Sequence, residues 1–250
     1  YIEKLDLFVG ISRHDTGAWV YKHPKNIKWK TLIAESPQSY IDNAVPGSTI
    51  TIPKGIYSKG FVINKPLTVK MVGVELLNPI QRKGYIIVQG GPIIIDGFNI
   101  SNKPNCKSNC AALRLEKNPQ VIIKNGIISN QENGILSGND GGNVKLENVT
   151  INNTNGGGKY GQQHAIYIGE SDKFSANNIT INGHEFGGHL VKSRAKDNLI
   201  INSKIDGLKS NHSRILDFPC GGNIILRNNI LIQSPHSDND DLFSIAPESC

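Results

Sequence analysis

The segment VKLENVTI at 144–151 is a short apolar-polar strand pattern interrupted at Asn148, and the chain repeats that texture before and after it. Upstream stand IIIDGFNI at 93–100 and VIIKNGII at 121–128; downstream stand FSANNITI at 174–181, NLIINSKI at 198–205 and ILRNNILI at 225–232. With Gly97, Asn125, Asn148, Asn178, Ser203 and Asn229 as the equivalent turn position, the steps are 28, 23, 30, 25 and 26 residues, and each step is one coil. Between the copies lies a second short strand: LRLE at 113–116, NGILSG at 133–138, HAIYIG at 164–169, HLVKSR at 189–194, RILDFP at 214–219 and LFSIAP at 242–247. Strands this short cannot close a core alone. Stacking successive coils about 4.8 Å apart pairs each strand with its equivalents above and below. The reading is an all-β, parallel solenoid. A propeller blade needs four antiparallel strands in about 40–50 residues, and a leucine-rich repeat needs an amphipathic helix between strands; neither pattern is present. Asparagine at the turn tolerates left-handed backbone, and its amide can bond along the stack, so the Asn-x-Ser/Thr triplets at Asn99, Asn148, Asn152, Asn178 and Asn211 read as products of the repeat.

Composition narrows the class further. Hydrophobic residues make up 38% and charged residues 19%, with 26 Gly and 12 Pro, which is enough for a core and favours strands and turns over disorder. Tyr85 to Phe98, the longest apolar stretch, is broken by Gln89, Gly90, Gly91, Pro92 and Asp96, so no stretch reaches the roughly 20 residues of a bilayer span. A net charge of +6 favours an anionic partner, while 6% aromatics without a basic helix argues against nucleic acid. Four cysteines suit two disulfides, Cys106–Cys110 as a local staple and Cys220–Cys250 between adjacent coils. A Cys-x3-Cys pair with no second pair or flanking histidine does not match zinc spacings, so an oxidising compartment is expected: secreted, periplasmic or cell-surface. No basic and apolar leader opens the sequence, so any signal peptide is expected to have been removed.

A solenoid needs caps at its open ends. SPQSYIDNAV at 36–45 reads as a capping helix with Ser36 as N-cap, Pro37 at the first helical position, and Tyr40, Ile41, Ala44 and Val45 on one apolar face. It leads into PGSTITIPKGIY at 46–57 and NKPLTVKMVG at 64–73. This succession resembles the opening of right-handed parallel β-helix proteins of the pectate-lyase-like superfamily, over residues 35 to 250. The resemblance implies a right-handed parallel β-helix with an N-terminal capping helix, in a superfamily of lyases, hydrolases, epimerases, esterases and tailspikes. QHAIYIG, GGHLVKSRAKDNLIINSKI and RILDFPCGGNIILRNNILIQ also look like a pattern of secreted bacterial β-helix proteins. One domain over 1–250 is expected, with 1–35 as an extension carrying Trp19 and Trp29, 36–45 as the helix and 46–250 as coils; a monomer is expected.

The repeat also yields a map of side chains. With Ile166 and Ile168 inward, Tyr167 points outward, and Lys192 and Asp217 are its equivalents one and two coils on. His164, His189 and Arg214 head the same strands at intervals of 25 residues. Arg194 shares the face of Lys192. The expected result is an exposed column of reactive side chains, with Gly-rich segments at 155–158, 187–188 and 221–222 keeping its walls low and loops 138–143 and 154–163 as rims. Ordinary structural roles also exist: strand caps for the histidines, a Lys192–Asp217 cross-strand pair, an Arg194–Glu170 pair.

His, Tyr, Lys and Arg together suit removal of a proton alpha to a carboxylate, where the anionic intermediate needs cations and the proton needs a base. In this scheme Lys192 and Arg194 bind a uronate carboxylate, a histidine (His164 or His189) is the base and Tyr167 the acid, with Asp217 completing the catalytic set and Gln163, Glu170 and Arg214 contacting substrate. The expected function is a lyase or C5 epimerase on an anionic uronic-acid polysaccharide, with a glycoside hydrolase and a non-catalytic carbohydrate-binding solenoid or adhesin as alternatives. Inverting hydrolysis needs two carboxyl groups about 6.5–9.5 Å apart, and Asp217 would need Glu170 or Asp241 as its partner. No cofactor is expected. Calcium has one weak site, Asp238, Asp240 and Asp241 in the turn SDNDD.

Overall fold

The computed structural model describes residues 33–102, 109–154, 163–184, 187–245, 248 and 250. The extension at 1–32, with Trp19 and Trp29, lies outside them, as do Cys106, most of the 154–163 loop and the segment at 155–158.

The chain winds as a parallel β-solenoid. One wall is an eight-stranded sheet of Phe61–Ile63, Gly84–Gln89, Ala111–Glu116, Asn133–Ser137, Ile166–Ile168, His189–Ser193, Arg214–Asp217 and Phe243–Ser244, each pairing with the next. A twelve-stranded sheet, with Asn143–Thr154 and Gln120–Ser129 among its longest strands, forms a second wall, and a three-stranded sheet of Ile33–Ala34, Gly55–Tyr57 and Val74–Leu76 completes the first coils. Parallel register stacks like on like. Ile86, Leu113, Ile135, Ile166, Val191 and Leu216 form one column, and Ile95, Ile123, Leu146, Ala176 and Ile200 face them from the other sheet. All eleven are buried in one continuous core that runs from Ile41 to Phe218.

Corners turn on left-handed asparagines. Asn148 has φ +53°, which bends strand Asn143–Thr154 so that Leu146 and Val149 both stay inside while Glu147 and Asn148 face out. Its amide donates to Asn125 Oδ1 at 3.0 Å and accepts from Asn178 Nδ2 at 2.8 Å, and Asn125 in turn donates to Asp96 at 2.7 Å. The ladder then slips. Asn202 and Asn228, not Ser203 and Asn229, hold the positive φ, and Asn202 donates to Asn177 rather than Asn178. Ser203 is instead a bracket: its Oγ accepts from the Ile179 amide and its own amide donates to Asn229. The turn position expected from the repeat is one residue late in these two coils.

The capping helix is shorter than the sequence suggests, Gln38–Asp42, and it carries a narrower apolar stripe. Ile41 is buried and Ala44 packs against the core, whereas Tyr40 and Val45 are exposed, since a single five-residue helix covers only the mouth of the first coil. The helix also starts one residue later than expected, with Pro37 rather than Ser36 as its N-cap, although Ser36 Oγ still accepts from the Gln38 amide. The Gln38 side chain mimics a neighbouring strand: it accepts from Val62 N at 2.8 Å and donates to Val62 O at 3.0 Å, on the first strand of the eight-stranded sheet.

Cys220 and Cys250 form a disulfide with 5.7 Å between their Cα atoms. Cys110 is buried and disulfide-bonded, but the pairing expected with Cys106 lies outside the described residues. Among the described residues no helix is long and apolar enough to cross a membrane.

Candidate functional site

The eight-stranded sheet carries the column on its outer face. Tyr167 pairs in register with Lys192, Lys192 with Asp217, and His189 with Arg214. The side chains converge because each coil between 164 and 214 adds the same number of residues. They line or underlie a groove of about 720 Å³, bounded by Arg114, Leu136 and Asn139 on one side and Ser213 and Asp238 on the other.

The column is less exposed than its position on an outer face suggested. His164, His189 and Asp217 are each buried to at least nine-tenths, because neighbouring side chains cover them. His164 stacks between His189 and Tyr167, with ring centroids 5.4 Å from each. Its Nδ1 accepts the backbone N–H of His189 at 2.9 Å, so the neutral ring keeps its proton on Nε2 and acts as a donor. His189 Nε2 lies 3.2 Å from Asp217 Oδ2, and Lys192 Nζ lies 3.2 Å from the same oxygen. His189 Nδ1 is buried. As placed, His164 offers the groove an N–H donor, and His189 turns its Nε2 toward Asp217.

Tyr167 is different. Arg194 Nη1 donates to its hydroxyl at 2.6 Å, and the guanidinium carbon stands 5.6 Å from the centre of its ring. One lone pair and the phenolic proton remain for the groove. Arg194 does not pair with Glu170. Its Nη2 meets Glu248 Oε2, and Lys192 Nζ lies 3.5 Å from Glu248 Oε1. Burial lowers the Arg194 pKa, but the bond to Glu248 and the proximity of Tyr167 outweigh it, so the net shift is upward. The same bond to Arg194 holds the Glu248 carboxyl below its ordinary range.

Three expected substrate contacts sit elsewhere. Gln163 is buried and donates to Glu132 at 2.7 Å, which makes it part of the floor. Glu170 is exposed in an adjacent depression shared with Asp172 and Lys196. Arg214 points toward Asn239 at 3.1 Å and Asp241 at 3.4 Å, at the end of the groove. Asp241 is thus engaged with Arg214, and among the described residues no group of three or more His, Cys, Asp or Glu side chains is placed to hold a metal ion.

Sequence reasoning missed the layer beneath. Glu132 accepts from the amides of Asn109 and Cys110, and Asn133 Oδ1 accepts the His164 amide at 2.9 Å while its Nδ2 donates to Cys110 O at 3.0 Å. These bonds fix the start of strand Ile166–Ile168 and so the His164 ring. The signal was a charged residue heading an apolar strand, QENGILSG. Gly188 adds a close approach: φ is +66°, and a Cβ there would stand 1.8 Å from Gln163 O, so only glycine lets the chain pass the groove floor.

No protein-family model, curated protein or solved structure matches the chain.

Proposed function

We propose that this protein is an extracellular carbohydrate-active enzyme of the pectate-lyase-like kind, which cleaves an anionic uronic-acid polysaccharide by β-elimination or inverts it at C5. The observation that carries the reading is the Arg194–Tyr167 hydrogen bond of 2.6 Å, with Lys192 in the same groove. Elimination removes the C5 proton, breaks the bond from C4 to the leaving oxygen and returns a proton to that oxygen. The step places negative charge on the carboxylate, so cations there lower its barrier. Lys192 and Arg194 supply two. Tyr167 is the proton-transfer group: in its ionised form the phenolate, its charge balanced by Arg194, takes the C5 proton and passes it to the leaving oxygen, so the residue ends as it began. His164, donating from Nε2, orients the sugar, and Asp217 fixes His189 and Lys192 from below. Hydrolysis has weaker support, because Asp217 is held by Lys192 and His189, Asp241 meets Arg214, and Glu170 lies in the adjacent depression. The Cys220–Cys250 disulfide is compatible with an oxidising location.

Incubation with a panel of uronic-acid polymers tests the reading. Elimination raises the ultraviolet absorbance of an unsaturated uronate, and epimerisation changes the uronate composition without cleavage. New reducing ends without that absorbance would indicate hydrolysis, and retention of polymer without turnover would indicate a binding solenoid.

A further inference from the structure

Glu248 lies far along the chain from the cations it meets, 54 residues from Arg194. Its two carboxylate oxygens divide between them, Oε1 toward Lys192 and Oε2 toward Arg194. That is how two cations clasp a free carboxylate. Glu248 is carried beside the groove by two anchors, its own amide donating to Pro219 O and the disulfide two residues on at Cys250. Its side chain is 48% exposed, whereas those of Lys192 and Arg194 are 14% and 17% exposed, so the acid sits over the cations from the solvent side.

We propose that Lys192 and Arg194 form a carboxylate-binding subsite whose resting occupant is the chain's own Glu248, tethered there by the Cys220–Cys250 disulfide. An incoming uronate displaces Glu248 and takes both cations. The proposal rests on this groove being the ligand site and adds an intramolecular competitor to it. A tethered competitor lowers apparent affinity by the fraction of molecules in which it is seated, so its removal raises affinity for carboxylates alone.

The test is calorimetric titration of the folded, disulfide-bonded protein with a monomeric hexuronate and, as control, the corresponding neutral hexose. Glu248→Gln is expected to bind the hexuronate about tenfold more tightly than the parent, with neutral hexose binding unchanged. Adding Arg194→Ala to Glu248→Gln should abolish the gain. Paired Cys220→Ser and Cys250→Ser substitutions should reproduce part of the gain, because the carboxylate remains but its tether is gone; thermal unfolding checks that this variant is folded. Equal hexuronate affinity in the parent and Glu248→Gln overturns the proposal, as does an equal gain for the neutral hexose. Polymer turnover by the parent without the Glu248→Gln gain sinks the competitor and leaves the enzyme; the gain without turnover does the reverse.

Discussion

Two columns of polar side chains run up this solenoid, and they differ in kind. At the corner, Asn125, Asn148 and Asn178 repeat one residue, and each amide bonds to the next along the stack. On the eight-stranded sheet, the rungs Leu136, Tyr167, Lys192 and Asp217 are all unlike, as are His189 and Arg214 beside them. Both columns arise from the same parallel register. A repeated rung satisfies itself and stabilises the stack, whereas a column of unlike rungs leaves hydrogen-bonding capacity and charge for something outside it. The difference teaches that in a solenoid departure from the repeat, more than polarity, marks the candidate ligand site.

The comparison breaks if the columns respond alike to substitution. Tyr167→Phe is expected to lower turnover of the substrate polymer about 10²–10⁴-fold while leaving thermal stability at the parent value, as assayed by absorbance and calorimetry. His164 belongs to both columns in character, since its ring supports a buried amide and also faces the groove. His164→Ala should cost about 1–3 kcal/mol in denaturant unfolding, the penalty of an unsatisfied buried N–H, and His164→Asn should recover part of that stability without recovering turnover. Asn148→Ala removes two amide bonds and leaves alanine in left-handed backbone; a loss of about 1–2 kcal/mol is expected with turnover intact, and Asn148→Gly should lose less.

A milder test uses pH. Burial lowers the pKa of His212, which meets Ser210 Oγ at 2.9 Å and Gln233 Oε1 at 3.3 Å away from the groove. A folded-state pKa below the unfolded value of 6.5 means that the unfolded chain takes up the proton first. Its contribution to stability is complete above pH 6.5 and is lost as pH falls toward the folded value. His212→Gln should flatten that part of the stability profile measured by denaturant titration. The smallest effect is expected from Lys196→Ala, which deletes an exposed ion pair with Asp172 and should leave the melting temperature unchanged within error.

Much of the scaffold was legible because its period is written in single residues. Equal coil lengths put Tyr167, Lys192 and Asp217 on adjacent rungs by counting alone, and alternation from Ile166 and Ile168 gave the face. The slip at Asn202 was not legible, since Asn202 and Ser203 both suit a corner and only the bond from the Ile179 amide to the Ser203 hydroxyl separates them. Nor was the cover over the column. Glu248 reaches the site from a distant segment with no periodic relation to it, so counting residues could not find it.

Gln38 has a consequence for self-association. The backbone of Val62 already has both of its outward partners in one side-chain amide. A second copy of the molecule arriving at that rim finds no vacant donor or acceptor at this residue with which to begin a shared sheet. A single glutamine thus works against end-on fusion of solenoids at strand Phe61–Ile63, a safeguard that costs the chain one residue instead of a further coil.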